Sequence, residues 1–256
     1  MALHSLPEAD AGWAWFLDVD GTLIEIAQRP DAVCVDESAR AAIEALHRAA
    51  DGAVALISGR AIADLDRLFA PLRLPCAGLH GLERRDAGGA LHRSAHPSPV
   101  LDRVLGELFH FVDAHPGSEV ENKGLGVALH YRRAREAEAA AWALADDIAG
   151  RYGQTLVVQG GKMVIEFRSP GADKGTAIAR FMNEPPFAGR TPVFAGDDVT
   201  DEAGFAEVNL RGGLSVRIGD AGHSAANWRL ADVAALIDWL GVSPEPAHRD
   251  AGGGRR

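Results

Sequence analysis

The sequence is short of cysteine, of excess positive charge and of long apolar runs, and each shortage removes a class of function. Cysteine occurs twice, as Cys34 and Cys76, with no C-x-x-C pair and no histidine cluster beside either. A disulfide framework or zinc site is therefore not expected, and both read as buried thiols of a reducing compartment. Asp and Glu total 36 against 26 for Lys and Arg, a formal net charge of -10. That balance offers no broad positive surface, so neither nucleic acid nor an anionic membrane is an expected partner. A phosphorylated ligand would have to be met by local positive charge or by a metal ion. No apolar run reaches bilayer-spanning length, and residues 1–12 lack the basic-then-apolar layout of a secretion signal. A cytoplasmic protein is the expectation, and a monomer.

What is present is an ordinary globular composition: 256 residues, 47% hydrophobic and 24% charged. Residues 13–19 form an apolar run that reads as a buried parallel strand, ending in Asp18-Val19-Asp20-Gly21-Thr22. A helix is expected over 37–50, a strand over 53–57 stopped by Ser58-Gly59-Arg60, a helix over 61–69 and a strand over 76–79. This order predicts an α/β fold, a Rossmann-like open parallel sheet with helices on both faces and ligands at the carboxyl ends of its strands. The pattern changes after residue 81. A helix over 100–114, a hairpin of 118–121 and 125–131 around Asn122-Lys123-Gly124, a helix over 134–151, and a hairpin of 155–159 and 162–167 around Gly160-Gly161 follow. The parallel pattern then returns, with helices over 173–182, 200–207 and 233–240 and strands over 192–195 and 214–218. The expected organisation is a core of 1–81 and 169–242, an inserted α+β unit of 82–168, and a disordered tail of 243–256 rich in Pro, Gly and charge.

The polar clusters at strand ends carry the chemistry. Asp18 and Asp20 lie two residues apart and repel each other unless a cation lies between them. Magnesium takes oxygen ligands, and an aspartate beside a metal can attack phosphorus. Gly196-Asp197-Asp198-Val199-Thr200-Asp201-Glu202 brings further carboxylates to the same sheet edge, Asp197 as a metal ligand and Asp201 to orient the site. The same stretch also reads as a helix start with Thr200 as N-cap. Ser58, with Gly59 and Arg60, ends a strand and makes either an anion seat or an ordinary cap. Lys174 opens a helix, where a cation is unfavourable unless an anion is near.

In this order, the four clusters resemble the haloacid dehalogenase superfamily of phosphotransferases, over 13–240. That resemblance implies Asp18 as nucleophile and Asp20 as the acid and base for the leaving oxygen and the water. It implies magnesium held by Asp18, the backbone carbonyl of Asp20 and Asp197, with Asp198 and Asp201 behind them. Ser58 and Lys174 would bind the transferring phosphoryl oxygens. An insert between Ser58 and Lys174 resembles the second (C2) class of cap, an α/β lid over the site.

A finer resemblance is to trehalose-6-phosphate phosphatases. It rests on Asp18-Val19-Asp20-Gly21-Thr22-Leu23, Ser58-Gly59-Arg60, Gly78-Leu79-His80-Gly81, Glu121-Asn122-Lys123-Gly124 with His130-Tyr131, Glu166-Phe167-Arg168 and the 196–202 cluster. It implies that Glu121, Lys123 and Glu166 hold the distal glucose, that Gly59 and Arg60 also line the substrate site, and that the reaction is hydrolysis of trehalose 6-phosphate. The residues alone leave Glu121 and Lys123 as charges flanking a turn, and Glu166 as the exposed face of a strand. His80, His130 and Arg132 match more loosely as substrate neighbours. Val19 stands where the family often has Tyr, and Pro170 lies one place later than usual. Another sugar phosphate as substrate, such as sucrose 6-phosphate or glucosyl-3-phosphoglycerate, and a non-catalytic sugar-phosphate sensor are the rival readings.

Overall fold

The computed structural model describes residues 6–25, 35–93, 98–220 and 222–241. Cys34 and the 243–256 tail lie outside the described residues. Among the described residues, twelve strands and seven α-helices follow in the order β1 (Ala14–Leu17), α1 (Glu37–Ala49), β2 (Val54–Ile57), α2 (Ile62–Phe69), β3 (Cys76–Gly78), β4 (Glu83–Arg85), β5 (Leu91–Arg93), α3 (Pro99–Ala114), β6 (Glu119–Asn122), β7 (Gly126–His130), α4 (Glu138–Tyr152), β8 (Val157–Gly161), β9 (Val164–Arg168), α5 (Lys174–Phe181), β10 (Pro192–Gly196), α6 (Glu202–Leu210), β11 (Leu214–Ile218), β12 (Trp228–Leu230) and α7 (Val233–Gly241).

The main sheet has eight strands in the order β12-β11-β10-β1-β2-β3-β4-β5. From β12 to β3 all pairs are parallel. β1 is central, and its four residues are all buried, as a strand covered on both faces demands. Phe16 stacks on Phe187 at 5.4 Å and lies 6.0 Å from Phe181, and Trp15 meets Trp239 edge-on at 5.2 Å. Full burial of one such side chain stabilises by about 1.5–3 kcal/mol, so this strand is firmly fixed under the site it carries. Helices pair around the sheet, α1 with α7 and α5 with α6. Cys76 is a free buried thiol whose pKa burial pushes up to about 12, so it is inert.

The second sheet is antiparallel, β6-β7-β9-β8. Val127, Leu129, Ile165 and Phe167 point from it into a separate core with Leu101, Val104 and Leu108 of α3 and Ala141, Ala145 and Ile148 of α4. No helix among the described residues is long and apolar enough to cross a membrane.

Several expectations need correction. β4 and β5, each three residues long, join the main sheet antiparallel, so that sheet continues past the expected boundary at residue 81. β12 adds a further strand that the sequence pattern did not suggest. The turn of the second hairpin falls at Lys162-Met163, because Gly160 and Gly161 are strand residues. Their glycine character serves packing: a Cβ at Gly160 would sit 2.7 Å from the Trp142 ring, and one at Gly161 would sit 2.9 Å from Val164 Cγ1. Thr200 is not the cap of α6. A short 3-10 turn, Val199–Asp201, precedes that helix, and Asp198 caps it by accepting from Val199 N at 2.7 Å. Ser58 caps no helix either, since α2 begins at Ile62 with Ala61 before it.

Candidate active site

The site forms where β1 and β10 end side by side. The backbone N–H of Asp18 donates to Ala195 O at 3.0 Å, which sets Asp18 beside the strand that delivers Asp197. The chain then turns at Gly21, with φ +85, and a Cβ there would lie 2.1 Å from Asp197 Oδ2. Glycine is required twice over, by the backbone angle and by the close approach. Thr22 Oγ1 donates to Asp18 Oδ2 at 3.2 Å and reaches Asp197 Oδ1 at 3.5 Å, tying the two carboxylates together.

Asp173 caps α5 with a reciprocal box: Thr176 N donates to Asp173 Oδ1 at 2.7 Å, and Asp173 N donates to Thr176 Oγ1 at 2.9 Å. This fixes Lys174 at the first helical position and sends its ammonium into the core, where it is buried. Nζ lies 2.7 Å from Asp18 Oδ1 and 2.6 Å from Asp201 Oδ1. Burial by itself would lower the Lys174 pKa, but Asp18 and Asp201 more than reverse this and hold the ammonium well above its ordinary value. Asp201 Oδ2 accepts from the backbone N–H of both Asp197 and Asp198 at 2.9 Å. Both oxygens of Asp201 are thus engaged, one by Lys174 and the other by the loop that carries Asp197.

Asp18, Asp197 and Asp201 present carboxylate oxygens within 4.8 Å of one another, all buried. Burial, with the charges of Asp201 and Asp197, drives the Asp18 pKa well up despite Lys174. Burial, with Asp201 and Asp198, raises Asp197 despite Lys162. Two buried carboxylates pushed toward protonation mark a locus short of positive charge. The oxygen-only donor set of Asp18 and Asp197 fits a hard divalent cation.

Asp20 is held differently. Arg60 grips its carboxylate with Nε to Oδ2 and Nη2 to Oδ1, both at 2.6 Å. Burial would lower the Arg60 pKa, but Asp20 raises it above its ordinary value. Ser58 is buried at the end of β2, and its Oγ accepts from Arg60 N at 3.1 Å.

The insert supplies the opposite wall. Asp18, Asp20, Ser58, Gly59, Arg60, Lys174, Asp197 and Asp198 share one cavity of about 200 Å³ with Glu121, Lys123, His130, Arg132 and Glu166. Glu166 Oε1 accepts from Lys123 Nζ at 2.5 Å, and Lys123 also donates to Gly59 O at 3.2 Å. Glu121 pairs with His130 at 2.9 Å and lies 3.9 Å from Lys123. Burial would raise Glu166, but Lys123 and His80 more than reverse it, so its carboxyl is held well below the usual range. The alternation of β9 does hold, with Ile165 and Phe167 in the insert's core, but the face that carries Glu166 is covered by the main sheet unit instead of by water. Sequence reasoning assigned no role to Lys162 or Gly21. Lys162 was hidden by the misplaced turn: as the tip of β8–β9 it reaches across to form an ion pair with Asp197.

Residues 16–234 match the family described as Trehalose-phosphatase. The chain is similar to the trehalose-6-phosphate phosphatase of Escherichia coli strain K12, 48% identical over 238 residues, which cover 93% of this chain and 89% of the relative. It is also similar to a probable trehalose-phosphate phosphatase of Sinorhizobium fredii, 45% identical over 207 residues, covering 81% of this chain and 78% of the relative. Among solved structures it resembles the C-terminal domain of the C. albicans trehalose-6-phosphate phosphatase, with a TM-score of 0.80, 23% identity and coverage of 89% and 90%. That likeness concerns the fold, which is the one expected of haloacid dehalogenase phosphatases.

Proposed function

Because the chain belongs to the trehalose-phosphatase family, we infer that it hydrolyses trehalose 6-phosphate to trehalose and phosphate in this cavity. One observation carries the reading: the buried Asp18–Lys174 pair of the main unit and the Lys123–Glu166 pair of the insert line a single cavity. One wall suits phosphoryl transfer and the other suits sugar hydroxyls.

Asp18 attacks phosphorus in line, the ester P–O bond breaks, and an aspartyl phosphate forms on Asp18. Asp20 gives its proton to the departing sugar oxygen, then takes one from the water that cleaves the acyl phosphate. The bidentate Arg60 grip occupies both oxygens of Asp20 in the substrate-free protein, so one of them must part from Arg60 before it can carry the proton of this step. Lys174 and Ser58 meet the transferring oxygens. Asp197 and Asp18, with the backbone carbonyl of Asp20, would hold magnesium, which when bound offsets the repulsion between Asp18 and the incoming phosphate. Asp198 and Asp201 keep the Asp197 loop in shape. Glu121 and Glu166 accept hydrogen bonds from the distal ring and Lys123 donates one, with Gly59 and Arg60 lining the passage between the two walls. The inserted unit, the β6-β7-β9-β8 sheet with α3 and α4, acts as the lid, and closing it excludes water.

The test is turnover of a panel of sugar phosphates by purified protein with magnesium. Trehalose 6-phosphate is expected to have the highest kcat/KM, and Asp18→Asn is expected to abolish turnover while the protein stays folded. Equal use of sucrose 6-phosphate would remove the substrate assignment. Activity retained by Asp18→Asn would remove the mechanism.

A further inference from the structure

We propose that His80, a residue of the main sheet unit, is a positioning residue for sugar recognition: it sets the carboxylate of Glu166, a residue of the insert. This rests on the substrate reading above and extends it to a residue outside the sugar-contacting set.

His80 follows β3 in a turn where Leu79 has φ 51 and His80 has φ 55, a conformation that non-glycine residues seldom adopt. The turn is clamped to the Ser58–Arg60 loop: Leu79 N donates to Arg60 O, and His80 N to Ser58 O, each at 3.0 Å. So held, the imidazole lies across Gly59, where a Cβ would come within 2.7 Å of Nε2. Nε2 is 2.5 Å from Glu166 Oε2. The other oxygen of Glu166 takes Lys123 Nζ, which returns to Gly59 O. Ser58-Gly59, His80, Glu166 and Lys123 therefore form a closed ring, completed by His80 N donating to Ser58 O, that crosses between the main unit and the insert twice. Nδ1 is buried without a hydrogen-bond partner. An ionised carboxylate only accepts, so the single proton of a neutral imidazole belongs on Nε2. A donor at that one position is what the ring requires. Without it, one oxygen of Glu166 is released to rotate, and Lys123 with it, so that the distal ring meets a wall no longer set to receive it.

The experiment compares kcat and KM for trehalose 6-phosphate and for p-nitrophenyl phosphate in wild type, His80→Ala, His80→Gln, His80→Asn and Gly59→Ala. With trehalose 6-phosphate, His80→Ala is expected to raise KM roughly tenfold and to change kcat by less than about threefold, the signature of lost binding and not lost chemistry. His80→Gln, whose amide nitrogen reaches the Nε2 position, is expected to restore most of the KM. His80→Asn reaches only the Nδ1 position and is expected not to, although Asn suits a positive φ better than Gln. Gly59→Ala pushes the imidazole aside and is expected to raise KM in the same direction. A KM within about twofold of wild type in His80→Ala, or rescue by Asn as good as by Gln, overturns the proposal. If His80→Ala does not fold, a Gly59→Ala KM equal to wild type overturns it alone. Failure of wild type to prefer trehalose 6-phosphate over p-nitrophenyl phosphate would instead sink the substrate reading.

Discussion

Lys162, at the tip of the β8–β9 hairpin, is ion-paired with Asp197, at the carboxyl end of β10. The insert thereby places an ammonium on the carboxylate that the proposed magnesium site would also use. A bound cation and the ammonium would compete for the same carboxylate, so removing the lysine would favour the metal.

Lys162→Ala is accordingly expected to tighten magnesium binding to the substrate-free protein. A half-exposed pair of this kind contributes up to about 1 kcal/mol, so the dissociation constant should fall by up to about fivefold. Calorimetric titration measures it directly, and an unchanged or weaker constant would contradict the competition. The same variant should raise KM for the sugar phosphate, since the insert loses a tie to the main unit.

Gly21→Ala tests the packing of the first loop against Asp197. The added methyl meets Asp197 Oδ2 at 2.1 Å on a backbone with φ +85. The loop must move, displacing Asp18 or Asp197. Activity is expected to fall about a hundredfold or more, with about 1–3 kcal/mol lost from stability. Steady-state rates and urea melts check both, and near-normal activity would show that the loop tolerates a side chain.

Asp201→Asn keeps the shape but turns one acceptor into a donor. One oxygen faces Lys174 and the other faces two backbone N–H groups, so either orientation sets donor against donor. A loss of about 3–5 kcal/mol is expected, the range for a broken buried charge pair. The urea midpoint reads it, and a shift equivalent to less than about 0.5 kcal/mol would mean that Asp201 is not the organiser of its loop.

His80 gives a pH prediction. Burial lowers its pKa below the ordinary 6.5, with Lys174 and Lys123 adding and Glu166 opposing. The unfolded chain then takes up this proton before the folded one does. Stability should fall as pH drops through 6.5 toward the folded value. Its slope from this one group is at most about 1.4 kcal/mol per pH unit. His80→Gln removes that contribution, so its urea midpoint should change less than wild type between about pH 7 and pH 5.5. Parallel profiles for the two proteins would show that His80 titrates alike in both states.

The strand-end clusters were legible because each ends an apolar run in acidic or hydroxyl residues. Asp18, Ser58, Lys174 and Asp197 all come to the expected edge of the sheet. What was hidden depends on neighbours distant in sequence. Gly160-Gly161 carries a turn signal, yet Gly160 is small to admit Trp142 and Gly161 to clear Val164, and no local pattern encodes that. Moving the turn by two residues is what carries Lys162 to Asp197. β4 and β5 escaped notice because three-residue strands rich in Arg have no periodicity to read. Glu166 obeys its strand's alternation, but sequence periodicity cannot say whether water or another part of the protein covers the second face.

The central place of β1 has a consequence for synthesis. Its partner β2 leaves the ribosome soon after it, but β10 and Lys174 come much later, Lys174 being 156 residues beyond Asp18. During that interval one side of a wholly apolar strand has no backbone partner, while every residue of the insert's separate core has already been made. Translation thus leaves a sticky ribbon waiting for its second neighbour, and enzymatic competence can arrive only when the last third of the polypeptide closes the gap.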